Sequence, residues 1–397
     1  MDSLEELERT YHFTRQERLL LEQAEADLSM WGMGHVTRFI DLNDVSRLSS
    51  GQQGKRILEQ VRQGMEAERR KPTDYTGFRP LWNPPAKTKD SFVSEDVLWG
   101  RCPCPTDGKQ TRCCNLRTLD AVQGCMFDCA YCAVQSFYQQ GEVRFVDNLA
   151  QRLSDIRLPE EVWHIGTGQS SDSLAWGDDH GTLAALRILA RRYPEKVIEL
   201  KTKSARTDWI TDDWPRNIIA TWSLNAPVIQ QAEEHFTASI AERIKAARIA
   251  ADHHILVGFH FHPMVWFDGW QEGYRQVVEM VTSSFRPEEV ALVSFGTLTF
   301  TKSVLKTLRE AGRPSRILDM DLVPFAGKFS YPWETKRDLF CNVWNAFPAS
   351  WKTGSPFFYL CFEDPTLWQP VFGHSYASNE EFEAAMKKSY LSAIHRR

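Results

Sequence analysis

The amino-acid sequence predicts an α/β protein built around an open, partial (β/α)6 barrel, and the alternation of two kinds of segment predicts it. Apolar, β-rich runs of strand length occur at 161–166, 196–200, 217–224, 254–261 and 289–295. Between them lie amphipathic helical stretches at 181–194, 239–253 and 270–285. Such alternation is typical of βαβ units in a parallel sheet. The carboxyl ends of the strands are expected to carry the functional site, as in complete barrels.

The same patterns divide the chain into three segments. We predict an N-terminal helical extension with a linker at 1–95, the barrel core with a cysteine-rich loop at 96–320, and a C-terminal α/β extension that completes the core at 321–397. The helical stretches before residue 70 mix apolar residues at three- and four-residue spacing with many charges, which indicates a solvated helical appendage. Near the end, 356–363 is predicted to be a buried strand and 380–397 a closing amphipathic helix.

Composition disfavours several classes of protein. The chain has 397 residues, 42% of them hydrophobic, which is enough for a sizeable core. A net charge of −5 disfavours a protein that coats DNA non-specifically, although a local basic cleft remains compatible with it. No apolar run reaches the roughly 18 residues of a membrane helix, and the acidic N-terminus lacks the features of a signal peptide. We therefore expect no membrane association and a cytoplasmic location.

The cysteines are concentrated in one region. Seven of the nine lie between residues 102 and 132, and such clustering in a reducing compartment indicates metal rather than disulfides. In GCMFDCAYC, Cys125, Cys129 and Cys132 are spaced C-x3-C-x2-C. Three thiolates can hold three irons of a [4Fe-4S] cluster and leave the fourth open, to which S-adenosylmethionine (SAM) can bind and be cleaved to a 5′-deoxyadenosyl radical. The alternative is structural zinc, which favours C-x2-C pairs and four closed ligands.

The remaining cysteines allow more than one interpretation. Cys102, Cys104, Cys113 and Cys114 precede the motif and are candidates for a second cluster or a zinc site. The alternative is a cysteine-rich loop with one or two buried thiols beside the main cluster. Cys361 lies in the predicted strand 356–363, where a core thiol is the ordinary interpretation. It is a candidate hydrogen-atom donor if the end of that strand faces the site.

The surroundings of the cysteine motif resemble the spore photoproduct lyase family of radical SAM enzymes. The resemblance runs from about residue 115 to 370 and leaves the first 95 residues outside. The resembling segments are TLDAVQGCMFDCAYC (118–132), GTGQSSDSL (166–174), LKTKS (200–204), ATWSLN (220–225), VGFHFHPMVWFDGWQEGY (257–274), FGTLTF (295–300), GKFSY (327–331) and YLCFEDPTLW (359–368). This resemblance implies a radical SAM barrel, a [4Fe-4S] cluster and SAM as cofactors, a reductase such as flavodoxin or ferredoxin as partner, and DNA or a nucleobase-related substrate.

By resemblance, SAM is held by residues at successive strand ends. These residues are Gly168, Ser171, Asp172, Lys203, Ser223, Asn225 and His260. The residues themselves agree, because the polar ones lie at or just past apolar runs and Lys203 is a compact cation that can pair with the SAM carboxylate. The alternative for any one of them is a satisfied polar group of a loop or of a packed strand end. Glu234 and Arg243 also match family positions and are interpreted as a structural ion pair.

One position departs from the family. The family has a cysteine that returns a hydrogen atom to the product radical, and this sequence has Gln169 there, whose amide N–H bond is too strong for that role. Thymine-lesion repair is therefore in doubt while radical initiation is not, and Tyr131 and Cys361 are the candidate catalytic residues. The alternative functions are a radical SAM enzyme for a small molecule or peptide, and a non-catalytic metal-binding module.

Overall fold

The computed structural model describes residues 4–80, 89–94, 98–102, 109–136 and 141–396. The strands are β1 (Lys89–Val93), β2 (Trp99–Arg101), β3 (Arg117–Leu119), β4 (Val122–Gln123), β5 (Asp128–Cys129), β6 (Glu142–Val146), β7 (His164–Thr167), β8 (Val197–Thr202), β9 (Ile218–Leu224), β10 (Glu234–His235), β11 (Leu256–Met264), β12 (Val290–Thr297), β13 (Thr299–Phe300), β14 (Val323–Phe325), β15 (Lys328–Ser330) and β16 (Phe357–Leu360).

An eight-stranded sheet curls into half a barrel, in the order β16-β12-β11-β9-β8-β7-β3-β2. Apart from β2, which pairs antiparallel with β3, all neighbours in this sheet are parallel and follow chain order. Each strand predicted between residues 161 and 295 belongs to it, and so does the strand predicted at 356–363. The predicted fold class, a partial radical SAM-type barrel with a helical N-terminus, is confirmed.

The helices pack around this sheet. They are α1 (Leu4–Thr10), α2 (Arg15–Met30), α3 (Leu42–Ser46), α4 (Ser50–Arg69), α5 (Leu149–Asp155), α6 (Thr182–Arg192), α7 (Pro227–Glu233), α8 (Ile240–Asp252), α9 (Trp270–Ser284), α10 (Lys302–Ala311), α11 (Trp333–Ala346), α12 (Ala349–Lys352), α13 (Trp368–Phe372) and α14 (Asn379–His395). Helix α8 contacts β9 and β11, and α6 contacts β8. In the part of the chain that the structure describes, no helix is both long and apolar enough to cross a membrane.

The central strands are continuous apolar runs because both of their faces are covered. Every residue of β9 and of β12 is buried, which is the expected pattern for parallel strands with helices outside and side chains filling the barrel inside. Helix α8 begins at a capping box in which the Ser239 and Glu242 side chains each bond to the other's backbone N–H. These elements fix the strand ends on which the site is built.

The N-terminal helices pack against the barrel, so the prediction of a solvated appendage is wrong. Leu21, Leu28 and Trp31 are fully buried in the same apolar core as the barrel strands. Backbone hydrogen bonds reinforce the contact: the Ser315 N–H donates to the Met30 carbonyl at 2.9 Å. Most of the charges that suggested a solvated appendage lie on the outer faces of α2 and α4, whereas Asp27 is buried and paired with Arg69 and Arg309. The segment limits at 95 and 320 stay predictions.

A buried carboxyl group, Glu233, lies where the N-terminal segment meets the barrel. Its Oε1 accepts hydrogen bonds from the Tyr75 hydroxyl at 2.9 Å and the Arg316 N–H at 2.8 Å. Its Oε2 accepts one from the Ser315 hydroxyl at 2.7 Å. Burial raises the pKa of Glu233 to about 7, although these hydrogen bonds oppose the rise.

This raised pKa predicts a pH-dependent stability. Folding favours the protonated acid, so its contribution is complete below about pH 4.5 and is lost as the pH rises through about 7. We expect the free energy of unfolding to fall by on the order of 1–3 kcal/mol from this group between about pH 5 and pH 8. Urea unfolding at both pH values measures it. Glu233→Gln should lose this slope and Glu242→Gln, at an exposed helix cap, should keep it; equal slopes in wild type and Glu233→Gln would contradict the assignment.

Candidate active site

A cavity of about 390 Å³ opens at the carboxyl ends of the barrel strands. Its walls come from the loop after β3, from the ends of β7, β8, β9, β11, β12 and β16, and from the small antiparallel sheet in which β13 pairs with β15. The lining residues that bear on chemistry are Cys102, Cys125, Phe127, Cys129, Tyr131, Cys132, Gly168, Gln169, Ser171, Asp172, Lys201, Lys203, Ser223, His262, Thr297, Thr299, Phe300, Lys328, Cys361 and Phe362.

The structure brings Cys125, Cys129 and Cys132 to this cavity together. Their loop is held by strand β5, in which Cys129 pairs antiparallel with Glu234 of β10. The Cys132 N–H also donates to the Cys129 carbonyl at 3.0 Å. Burial raises the pKa of the Cys125 and Cys129 thiols, and the nearby Lys203 ammonium opposes the rise at Cys129.

These three thiols fit a multi-iron cluster better than a single ion. Within the described residues, no three His, Cys, Asp or Glu side chains converge as ligands of one metal ion. A [4Fe-4S] cluster does not need that convergence, because each thiolate binds a different iron. The three cysteines share one cavity and one short loop, so the donor set and its placement suit such a cluster. Cysteine must lose its proton to bind, and a metal supplies the positive charge that offsets the buried thiolates.

Beside the cysteines lies a buried ion network centred on Glu234. Its Oε1 accepts hydrogen bonds from the Tyr131 hydroxyl at 2.5 Å and the Lys203 ammonium at 2.9 Å. Its Oε2 accepts one from Arg243 at 2.6 Å, so the expected ion pair is present. Burial alone raises the pKa of Glu234, but Lys203 and Arg243 outweigh it and hold that pKa well below its usual value. Lys203 also donates to the Tyr131 oxygen at 3.0 Å, which fixes both side chains at the cavity wall.

The loop after β7 is tied to the cysteine loop and to β8. The Ser171 hydroxyl donates to the Gly124 carbonyl at 2.5 Å, one residue before the first cluster cysteine. Asp172 accepts hydrogen bonds from the Thr202 hydroxyl at 2.7 Å and the Lys203 N–H at 2.7 Å. It also accepts the N–H groups of Leu174 and Ala175, each at 2.9 Å. Asp172 thus joins the loop after β7 to the end of β8, where Lys203 lies.

The family model for spore photoproduct lyase matches residues 116–330, which is more than half of the chain. This chain belongs to the spore photoproduct lyase family. It is therefore an enzyme of the radical SAM superfamily, as the sequence predicted.

A curated spore photoproduct lyase from Geobacillus sp. (strain Y412MC61) is 26% identical to this chain over 229 residues. That match takes in 54% of this chain and 64% of the length of the relative. Two solved structures show the same fold. A double mutant of spore photoproduct lyase with bound SAM and dinucleoside spore photoproduct has a TM-score of 0.56 at 17% identity, over 72% of this chain and 89% of that one. A spore photoproduct lyase complexed with dinucleoside spore photoproduct has a TM-score of 0.56 at 18% identity, over the same shares.

In this member of the spore photoproduct lyase family, two of the expected SAM contacts lie away from the cavity. Asn225 is fully buried and donates to the Pro263 carbonyl at 3.0 Å, while its side-chain oxygen accepts from Tyr274 at 2.9 Å. His260 is buried inside the barrel between Glu199 and Ser294, at 2.6 Å from each. Both side chains hydrogen-bond to protein partners and lie outside the lining of the cavity, and their contact with SAM stays a prediction. Gly168, Ser171, Asp172, Lys203 and Ser223 do line the cavity, and their contact with SAM stays a prediction.

Other residues of the cavity were not among the predicted SAM contacts. Lys201, Thr297 and Lys328 line it, and His262 lines it instead of His260. Lys201 had a detectable signal, because it lies two residues before Lys203 and alternate residues of a strand share a face. Lys328 lies in the resembling segment GKFSY, but the sequence could not place it at the cavity, since only the tertiary structure brings its hairpin over the barrel.

The second cysteine group lies beside the same cavity. Cys102 and Cys361 line it, whereas Cys113 and Cys114 are buried next to it. Burial raises the pKa of Cys114 first, and the neighbouring Cys102, Cys361 and Cys113 raise it further, which places these thiols near one another. Cys104 lies outside the described residues. A second cluster or zinc ion on this group stays a prediction.

Gly168 supports a further prediction, because this glycine has a φ of +79° and a Cβ there would lie 2.7 Å from the Ser173 hydroxyl and 2.8 Å from the Lys201 carbonyl. We expect Gly168→Ala to lower the free energy of unfolding by about 2–4 kcal/mol, from backbone strain and from contact. Gly181→Ala is the matched control, because it shares a φ of +71° but has no atom within 4 Å of the added Cβ. Urea unfolding of both separates the two causes, and equal losses would show that the contact costs nothing.

Proposed function

We propose that this enzyme cleaves SAM reductively at a [4Fe-4S] cluster held by Cys125, Cys129 and Cys132, and that its substrate is a nucleobase-containing lesion or a related nucleobase compound. The observation that supports it most is that these three cysteines line one cavity together with Gly168 and Lys203, two of the predicted SAM contacts. When bound, the cluster and SAM supply a 5′-deoxyadenosyl radical. Since the cluster needs an electron from outside, the proposed partner is a flavodoxin- or ferredoxin-type reductase.

The protein's own residues have distinct parts in this proposal. Lys203 is held by Glu234 and Tyr131 at the cavity wall, where its ammonium can pair with the SAM carboxylate. Gly168 allows the loop backbone to pack closely on the end of β8, because a Cβ there would lie 2.8 Å from the Lys201 carbonyl. Ser171 fixes that loop to the cysteine loop through Gly124. Tyr131 is proposed to position Lys203 beside the cluster.

Aromatic and cationic side chains support a nucleobase substrate. Phe127, Phe300 and Phe362 line the cavity, and aromatic rings are platforms on which bases stack. The Lys328 ammonium lies over the Phe362 ring, 3.8 Å from its centroid, which places a cation beside that platform for a phosphate. The relatives whose structures are known bind a dinucleoside spore photoproduct.

The test is anaerobic reconstitution with iron and sulfide, followed by SAM, dithionite and either UV-irradiated DNA or dinucleoside spore photoproduct. We expect 5′-deoxyadenosine to form without substrate and to increase with it. Absence of 5′-deoxyadenosine under all conditions would overturn the proposal. Its formation without any change in either nucleic-acid probe would retain SAM cleavage and overturn the nucleobase substrate, which would favour a small molecule or a peptide.

A further inference from the structure

We propose that Cys361 is the hydrogen-atom donor of this cavity: it quenches the carbon radical that the reaction leaves on the substrate. This proposal rests on the proposed function, because it needs a radical to be made in the cavity. A carbon radical must end by losing an electron or by gaining a hydrogen atom. Among protein side chains, thiols and phenols have the weakest bonds to a transferable hydrogen, so the positions of cysteines and tyrosines decide where quenching occurs.

The geometry places Cys361 in the reaction chamber. It follows directly after β16, where its N–H donates to the Phe295 carbonyl of β12 at 2.8 Å. Its residue lines the same cavity as Cys125, Cys129 and Cys132. Gln169 also lines this cavity, and an amide cannot give up a hydrogen atom. The short strand β16 therefore brings a thiol from near the end of the chain to a site whose other walls come from earlier segments.

One competing donor in the cavity is the Cys102 thiol, which the variants below test; another is Tyr131, whose hydrogen is already engaged. The Tyr131 hydroxyl donates to Glu234 at 2.5 Å, and its oxygen accepts from Lys203 at 3.0 Å. Burial raises the pKa of Cys361 to about 12, with Cys102 adding to the rise and Lys201 opposing it. Cys361 is accordingly a thiol rather than a thiolate at neutral pH, which is the form that carries a hydrogen atom.

The hydrogen transfer and the restoration of the thiol use one hydrogen atom, one electron and one proton. The S–H bond of Cys361 breaks homolytically, a C–H bond forms on the substrate radical, and a thiyl radical remains on Sγ. One electron from the low-potential flavodoxin- or ferredoxin-type donor converts this thiyl to a thiolate. One proton then restores the thiol, so each catalytic cycle adds one solvent-derived hydrogen to the product.

A chain of hydrogen-bonded side chains leads from the cavity into the barrel interior. His262 lines the cavity, and its Nε2 lies 3.1 Å from the Ser294 hydroxyl. Ser294 in turn lies 2.6 Å from Nδ1 of His260, whose Nε2 is 2.6 Å from Glu199. The chain ends at the buried Glu199, so it fixes the His262 ring at the cavity wall.

Gly296 on β12 lies beside both the His262 ring and the backbone of Cys361. A Cβ built on it would lie 3.1 Å from Nε2 of His262 and 3.2 Å from the Cys361 carbonyl oxygen. No side chain of residue 296 therefore lies between His262 and the backbone of Cys361.

The deciding experiment follows deuterium from solvent. Reconstituted holoprotein is exchanged into D2O and given SAM and dithionite without substrate, and 5′-deoxyadenosine is analysed by mass spectrometry. We expect one deuterium in much of the wild-type product and a loss of that label by about tenfold in Cys361→Ala and Cys361→Ser. Cys341→Ala, with its thiol on α11 away from the cavity, should match wild type. With dinucleoside spore photoproduct as probe, the same pattern is expected in any product that forms.

The outcomes separate the two proposals. If wild type makes no 5′-deoxyadenosine, the proposed function fails first. If wild type makes it with no deuterium, or Cys361→Ala keeps the wild-type label, or the label disappears only in Cys102→Ala, Cys361 is not the donor. Iron content and unlabelled 5′-deoxyadenosine yield confirm that each variant is folded and loaded.

A second readout does not depend on turnover. SAM should slow alkylation of Cys361 by iodoacetamide in the reconstituted, unreduced protein, as seen by peptide mass spectrometry, and should leave Cys341 unaffected. Equal alkylation of Cys361 with and without SAM would place this thiol outside the ligand region and overturn the proposal.

Discussion

Replacement of Cys125, Cys129 or Cys132 by alanine is expected to remove the cluster and to reduce 5′-deoxyadenosine formation by more than about 100-fold. Loss of a residue that only supports a ligand already costs about 10- to 100-fold in many metal sites, and loss of a ligand should cost more. All three residues line one cavity, and no neighbouring residue of the loop offers a second thiol. Iron analysis and SAM cleavage assays measure the effect. A variant that retained full iron and activity would remove that cysteine from the ligand set.

Cys341→Ala is the matched control for these variants. Cys341 lies on α11, where its sulfur is 3.6 Å from the Pro370 carbonyl of α13, so iron content and SAM cleavage should equal those of wild type. The Cys113→Ala variant addresses the second cysteine group. One cluster predicts about four irons per chain and two predict about eight. A fall from about eight to about four irons in that variant would establish a second cluster; an unchanged value of about four would leave a cysteine-rich loop.

Replacement of Glu234 by glutamine is expected to lower the free energy of unfolding by about 3–5 kcal/mol, because it leaves buried cations without their counter-charge. Arg243 is fully buried and bonds to Glu234 at 2.6 Å, and Lys203 bonds to it at 2.9 Å. Urea unfolding of the protein without its cluster measures the loss. The same variant should loosen Lys203 and Tyr131, and so weaken SAM cleavage even where the protein remains folded.

Glu289→Gln is the control for this effect. Glu289 also pairs with an arginine, Arg248 at 2.8 Å, but that pair is partly exposed, so its loss should cost less than about 1 kcal/mol. A double variant of Glu234→Gln with Arg243→Met should recover part of the loss, because the stranded charge is gone. If Glu234→Gln lowered the free energy of unfolding by less than Glu289→Gln, the Glu234 network would not stabilise the fold.

Much of the barrel could be predicted from local pattern. Strand β9 is buried along its whole length, and such a run can only be a strand covered on both faces, so it is visible in the sequence. The cluster motif was visible for a similar reason, since Cys125, Cys129 and Cys132 are close along the chain and their spacing carries the chemistry. The N-terminal helices were detected, but their packing was not, because charges on an outer face hide how completely the inner face is buried.

The remaining site residues were harder to predict, because sequence spacing shows on which face of a strand a residue lies but not how deep in the barrel it lies. Ser223 and Asn225 are two residues apart and were assigned together, yet Ser223 lines the cavity and Asn225 is held by Tyr274 and the Pro263 carbonyl. In the same way, His262 lines the cavity, whereas His260 is held inside the barrel by Glu199 and Ser294. Their partners come from other segments of the chain, and no local pattern records where those segments arrive.

By itself the sequence determined the parallel strands, the three-cysteine motif and the family, since each depends on residues that are neighbours along the chain. Only the tertiary structure decided that Cys361, Lys328 and His262 share a cavity with that motif. The physical reason is that a curled sheet and a hairpin bring together segments more than 200 residues apart along the chain. The contacts that bring the Cys361 thiol into the cavity that Gln169 also lines exist only after folding.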